Sequence, residues 1–204
     1  MASIAVHGMD GLAVDIECHI SAGLPAMVIV GFANKAVEEA RERLRGAFAS
    51  SSLELPRRRI ISNLAPGDVP KSGTGYDLAI AVAILSTSGQ TALPGRRQVF
   101  IGELGLDGSV RPVRGIIGKL LAARHHGFVD CFVSVGNLEQ ARLVPGIQLY
   151  PLSNLAAAYR HLSGRQPVLP VAISDIVLIE QGAMIMPLIL KEPLEQAAPM
   201  SLFG

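Results

Sequence analysis

The 204-residue chain has almost no net charge: it is formally +1 at pH 7, with 17% of its residues charged. So even a balance gives no global pull toward nucleic acid or an anionic membrane, and any such contact has to be local. Only two cysteines are present, Cys18 and Cys131, far apart and without CxxC spacing. They read as two reduced, buried thiols of a cytosolic protein rather than a disulfide framework. No charge-free apolar run reaches the roughly 18 residues that a membrane span needs. The nearest, Gly182–Leu190, is interrupted by Pro187, and Met1–Gly11 lacks a basic-plus-apolar signal. A cytoplasmic protein without membrane partners is the expectation.

Several catalytic signatures are missing too. There is no HExxH, no zinc-ligand spacing and no GxSxG elbow. His19 beside Cys18 is no metal pair, because neighbouring strand residues point to opposite faces. A GxxxxGK[ST] phosphate loop is absent: Gly118-Lys119 is followed by Leu120, and position 113 is valine. Gly73-Thr74-Gly75 supplies half of a dinucleotide fingerprint, but the spacing fails and no acid follows about 20 residues on. No cofactor or metal site is therefore expected in this chain.

What is present centres on Ser62–Leu85, SNLAPGDVPKSGTGYDLAIAVAIL. Two prolines and three glycines fall within ten residues, which neither continue a strand nor start a helix early. Asp77 stands where an N-cap or first-turn acid belongs, completing orphan N–H groups. Leu78 to Leu85 are apolar on every side, the mark of a buried central helix. A polar, glycine-rich loop feeding such a helix is a common way to build a site.

Around it, Ser3–His7 and Leu12–Ile20 read as strands joined by an Asp10-Gly11 turn, the second alternating with period two. Met27–Val30 reads as a short buried strand. Asn34 caps an amphipathic helix to about Ser50, with the apolar stripe Ala36/Val37, Ala40, Leu44, Ala47 and Phe48. Its wet face pairs Glu38 with Arg41, Glu39 with Arg43 and Glu42 with Arg45. Arg57, Arg58 and Arg59 are the sharpest local positive spot, at the start of strand 59–64. Strand alternation would send Arg58 away from the other two, so an exposed strand start is favoured over phosphate binding.

Further on, Val99–Leu106 reads as one strand, Asp107-Gly108 as a hairpin turn and Ser109–Val113 as its return. A helix over Arg114–His126 turns Ile116, Ile117, Leu120, Leu121 and Ala123 inward, carries Lys119 mid-helix and ends at Gly127. Val129–Val133 and Ile147–Tyr150 are strands. Asn137 caps a short helix over 138–143, and Ser153 or Asn154 one to His161. The pattern predicts one α+β, or mixed α/β, core ending near Gly164. Gln166–Gly204 is broken by five prolines and reads as a linker followed by something incomplete.

The residues alone leave one hydrolytic chemistry in play, a Ser–Lys dyad, which needs a hydroxyl beside a lysine of lowered pKa. Lys71 and Lys119 are the lysines on offer.

Five segments carry a family resemblance: HISAGLP (19–25), VGFANKAVEEARERLRGAF (30–48), RIISNLAPGDVPKSGTGYDLAIAVAIL (59–85), FIGELGLDGSVRPVRG (100–115) and KLLAARHHG (119–127). Together they resemble the N-terminal domain of the magnesium-chelatase-like AAA+ ATPases, the ComM/YifB competence family. The likeness covers about residues 1–163. It implies a ribosomal-protein-S5 domain-2-like fold, similar to the proteolytic domain of Lon. In that comparison Pro70-Lys71-Ser72-Gly73 matches the Lon loop and Gly75 takes the position of the nucleophilic serine. The Lon lysine falls on Lys119. The resemblance thus implies a protease fold without its protease chemistry, with Ser72 three residues too early to substitute. Lys71, Asp77, Arg111, Arg114 and Lys119 become candidate anion or DNA contacts in the old cleft, with Arg57–Arg59 as a further set; a lysine snorkelling from its helix is the other reading of Lys119.

For the full-length family the resemblance also implies ATP, Mg, a hexameric ring and DNA branch migration in recombination. Here neither Walker motif is found, and Met200–Gly204 resembles the approach to one, so residues 165–204 read as the start of a truncated motor. The expected function is a non-proteolytic accessory domain that contacts DNA weakly. A Lon-like Ser–Lys peptidase and a stand-alone interaction domain are the alternatives.

Overall fold

A computed structural model describes residues 1–7, 10–31, 35–71, 73–95 and 97–171, and the account below is of those. A first sheet has the strand order β1-β2-β4-β3, formed by β1 (Ala2–His7), β2 (Asp10–Ser21), β3 (Ala26–Val30) and β4 (Arg59–Ala65). β1–β2 and β2–β4 are antiparallel, and β3 runs parallel to β4. The period-two pattern of β2 is realised: Val14 and Ile16 are buried, while Asp15, Glu17 and His19 are exposed. β3 departs from the sequence expectation. It lies at the sheet edge with only Met27 buried and Val30 open, because an edge strand is covered on fewer sides.

The charged helix is interrupted at Glu39, giving α1 (Lys35–Glu38) and α2 (Ala40–Ser50). At the break the Ala36 carbonyl accepts from Arg43 Nη2 (2.9 Å), a side chain competing for a helix carbonyl. The stripe Val37, Ala40, Leu44, Ala47 and Phe48 is buried as its spacing requires. The cap assigned to Asn34 lies outside the described residues.

α3 (Asp77–Thr87) is the central element, with every residue from Asp77 to Leu85 buried. It packs on β2 and α2 on one side of the chain order, and on β5 (Gln98–Ile101) and α6 (Leu155–Leu162) on the other. Each large aliphatic side chain buried here contributes roughly 1.5–3 kcal/mol, which explains why the helix needs no polar face. A second sheet, all parallel, has the order β5-β8-β9, with β8 at Asp130–Ser134 and β9 at Gln148–Leu152.

The strand expected over 99–106 is split at Gly102 into β5 and β6 (Glu103–Leu104), and β6 pairs with β7 (Val110–Arg111). The cause is local. Gly102 spends its backbone on α3's start, accepting from Leu78 N and donating to Gly75 O, both at 3.1 Å. α4 (Ile116–His125) buries Ile116, Leu120 and Ala123. Ile117 and Leu121, expected inside, are exposed, because α4 covers the sheet with one narrow stripe. Asn137 does not cap α5 (Leu138–Ala141), whereas Asn154 does cap α6, accepting from Ala157 N.

After α6 the chain is tied back by Val168 N to His161 Nδ1 (2.9 Å) and by Val171 N to the Leu149 carbonyl (2.8 Å). The compact unit spans Met1–Ala172. The sequence readings of residues 172–204 lie outside the described residues, as does Ser72. No helix among the described residues is long and apolar enough to cross a membrane.

Candidate functional site

The glycine-rich loop, the β6–β7 hairpin and the start of α4 enclose a cleft of about 470 Å³. Gly73, Thr74 and Gly75 form one wall, Glu103 another, and Arg114, Gly115 and Lys119 a third. The last wall is fastened from behind by buried Asn137: its Oδ1 accepts from Val113 N at 2.8 Å and its Nδ2 donates to Val113 O at 3.0 Å. That exchange mimics a strand pair and replaces the helix cap the sequence suggested.

Lys119 reaches inward along this wall. Its Nζ donates to the Ile4 carbonyl (2.8 Å) and stands 5.8 Å from the centre of the Tyr76 ring. Burial lowers its pKa, the direction that suits a general base. Across from it is Gly75. A Cβ built there would lie 3.9 Å from Lys119 Nζ and 3.6 Å from Val113 Cγ1, so the space for a side chain exists and no hydroxyl occupies it. Thr74 carries the hydroxyl on the neighbouring position, and it donates to Glu103 Oε2. Glu103 also faces Arg111, with Nη1 3.9 Å from Oε1. Among the described residues the arrangement offers a base without a free nucleophile, flanked by two exposed arginines, Arg111 and Arg114.

The other expected residues are placed differently. Lys71 is fully buried and donates to the Pro66 carbonyl rather than entering the cleft. Burial lowers its pKa, with Asp68 opposing. Asp77 is in the first turn of α3, but its carboxylate does not cap that helix. It accepts instead from Arg43 Nε (2.6 Å), Arg43 Nη2 (3.0 Å) and Leu104 N (3.2 Å). Burial pushes its carboxyl up while Arg43 and the Leu104 N–H pull it down, and the same contact holds the Arg43 guanidinium more firmly charged. Asp77 thus ties the start of α3 to α2 and β6. Arg111 touches the cleft through Glu103, and Arg114 lines it directly.

Arg57 and Arg58 are elsewhere, and both line a second cavity. The alternation argument fails for them because β4 begins only at Arg59. Arg59 does not join them there.

Sequence reasoning missed Arg43, Glu103 and Asn137. Arg43 was assigned to a surface pair with Glu39, and the i,i+4 rule has no means of preferring a partner on another helix. Among the described residues Glu39 faces Lys35 (4.0 Å), and Glu42 does pair with Arg45 (2.7 Å).

Fold and cleft together define a mixed α/β domain in which a glycine loop at a buried helix start faces a lysine. The profile of the family described as Subunit ChlI of Mg-chelatase matches residues 16–137. The chain belongs to this magnesium-chelatase-like family, on the side of ComM and YifB. It is 39% identical over 165 residues to the uncharacterized protein Rv2897c of Mycobacterium tuberculosis, covering 79% of this chain and 32% of that one. It is 36% identical over 171 residues to the competence protein ComM of Haemophilus influenzae (83% and 33% covered). With YifB of Escherichia coli it shares 35% over 191 residues (87% and 38%). A Lon protease of Brucella suis is more distant, at 26% over 172 residues (78% and 21%). The chain thus spans about a third of the length of the curated relatives it matches.

Proposed function

We propose that this domain is a non-hydrolytic module of a magnesium-chelatase-like AAA+ ATPase, and that its cleft contacts DNA phosphates instead of cleaving peptide bonds. The observation that carries the reading is Gly75 opposite Lys119: among the described residues, the amine that would activate a nucleophile has no free hydroxyl in front of it. An acyl-enzyme needs an attacking hydroxyl, and the one beside the site, Thr74, is tied to Glu103. What remains on that wall is positive charge, Lys119 and Arg114, with Arg111 at the next residue pair out.

The kinship with ComM and YifB supports the wider setting: a cytoplasmic, ATP-driven hexameric ring that moves DNA branches during recombination, to which this domain contributes assembly or DNA contact. ATP and Mg belong to the motor in that setting. The loop here does not fit a nucleotide phosphate, since the buried acid Asp77 occupies the helix start and Lys71 is turned to the Pro66 carbonyl.

The experiment is a titration of labelled branched DNA with the 204-residue chain and its Arg111→Ala/Arg114→Ala variant, across about 50 to 200 mM salt. The expected result is weak, steeply salt-dependent binding, with the log–log slope reduced by roughly 1.8 in the variant if two phosphate contacts are lost. An unchanged slope, or affinity indifferent to salt, would overturn the DNA assignment.

A further inference from the structure

Lys119 is placed unlike the other described lysines. Lys35 is a surface residue, its side chain 88% exposed and 4.0 Å from Glu39, and Lys71 is fully buried away from the cleft. Lys119 lines the 470 Å³ space, a volume in the range of small-molecule sites. Its Nζ donates to the Ile4 carbonyl, and no carboxylate among the described residues lies within ion-pair distance of it. Val6, Pro112 and Val113 supply apolar lining to the same space. Burial lowers the pKa of the amine, so more of it is unprotonated than in an exposed lysine at the same pH. The room left by Gly75 reaches to 3.9 Å from Nζ, which gives a small reactant an approach to the nitrogen. On the same wall Arg114 is exposed and forms no ion pair among the described residues.

We infer that Lys119 is an imine-forming lysine, and that the cleft takes a small oxo acid, with its carbonyl carbon at Lys119 Nζ and its carboxylate on Arg114. A desolvated lysine without a counter-ion is the form of this side chain that condenses with carbonyl compounds. The planar guanidinium fork matches a carboxylate. The amine lone pair forms the C–N bond, the C–O bond breaks, and the oxygen leaves as water. Counted from the ammonium, two of its three hydrogens leave in that water. The protonated imine keeps the positive charge and one N–H, which can still serve the Ile4 carbonyl. No oxidant, reductant or metal enters the balance. This assignment rests on the reading of the cleft as non-hydrolytic, but its test contains no DNA, so the two fail separately.

The test is reductive trapping of the native 204-residue chain with 4-oxobutanoate and cyanoborohydride at pH 7.5, read by peptide mapping, with Lys35 as the internal standard. A site that holds the oxo acid against the amine should label Lys119 at least about tenfold faster than Lys35. Butanal, which has no carboxylate, should label Lys119 more slowly than 4-oxobutanoate does. Arg114→Ala should remove that difference and leave labelling by butanal unchanged. In urea the preference for Lys119 should vanish. The inference is overturned if Lys119 in the native chain is labelled no faster than Lys35. It is also overturned if butanal labels Lys119 as fast as 4-oxobutanoate, or if folded Arg114→Ala keeps the parent's preference for the oxo acid.

Discussion

Arg43 and Asp77, 34 residues apart in sequence, meet as a two-point pair between α2 and α3, with Nε to Oδ2 at 2.6 Å and Nη2 to Oδ1 at 3.0 Å. The acid is 1% exposed and its partner's side chain 16%. The pair also reaches the β6 backbone through Leu104 N, so it joins three elements beneath the cleft.

Removing the guanidinium strands a carboxylate in the interior with a single backbone donor. Arg43→Ala should therefore cost about 3 kcal/mol of stability, the penalty typical of breaking a buried pair from one side. Arg43→Lys should recover only part of it, because a lysine cannot supply both donors in one plane. Urea unfolding of the three proteins measures this directly. Equal midpoints for parent and Arg43→Ala would remove the bracing role.

Two glycines should respond in opposite ways to a methyl group. Gly31 has φ +107°, and a Cβ there would meet the Leu64 carbonyl oxygen at 2.1 Å. Gly31→Ala should destabilise by about 2 kcal/mol or more, since both the backbone and its neighbour resist. Gly75 has ordinary contacts of 3.6 Å and beyond. Gly75→Ala should stay within about 1 kcal/mol of the parent, as a substitution without clash or strain does. Thermal melts of both variants test the contrast, and a Gly75→Ala loss as large as that of Gly31→Ala would show that the cleft has no room for a side chain.

The cysteines should differ from free thiols. Cys131 is 0% exposed, and burial pushes its thiol up to about 12, helped by Asp130. It should resist alkylation in the native protein at neutral pH and react on unfolding. Because the folded pKa is the higher one, unfolding releases a proton above the range of an ordinary thiol. The stability this thiol contributes is present below that range and is lost as pH rises toward about 12. The parent's advantage over Cys131→Ala should shrink by on the order of 2 kcal/mol between about pH 9 and 11. A constant difference in urea stability across that span would contradict it.

Elements whose periodicity reflects one-sided or complete burial were legible in the sequence. The alternation of β2 and the all-round apolar run of α3 are both realised, and the loop between β4 and α3 lies where prolines and glycines put it. Contacts chosen between distant partners were not. Asp77 has the local chemistry of a cap, yet its carboxylate is satisfied by Arg43 and Leu104, which no window of neighbouring residues contains. Asn137 likewise resembles a cap and instead secures Val113. Ile117 and Leu121 follow a helical spacing, but how much of α4 the sheet covers is a property of the assembled layers. In the cleft, Lys119 and Gly75 were placed through family resemblance rather than residue pattern, and Glu103 carried no signal of its own before the hairpin brought it to the wall.

The central claim, a lysine facing an absent hydroxyl, is tested most directly by a serine-reactive fluorophosphonate applied to the native 204-residue chain, read by intact mass and peptide mapping. The account predicts no adduct, and no change when Lys119 is replaced by Met. A stoichiometric adduct on a loop serine such as Ser72, lost in Lys119→Met, would contradict it and make the domain a Ser–Lys hydrolase.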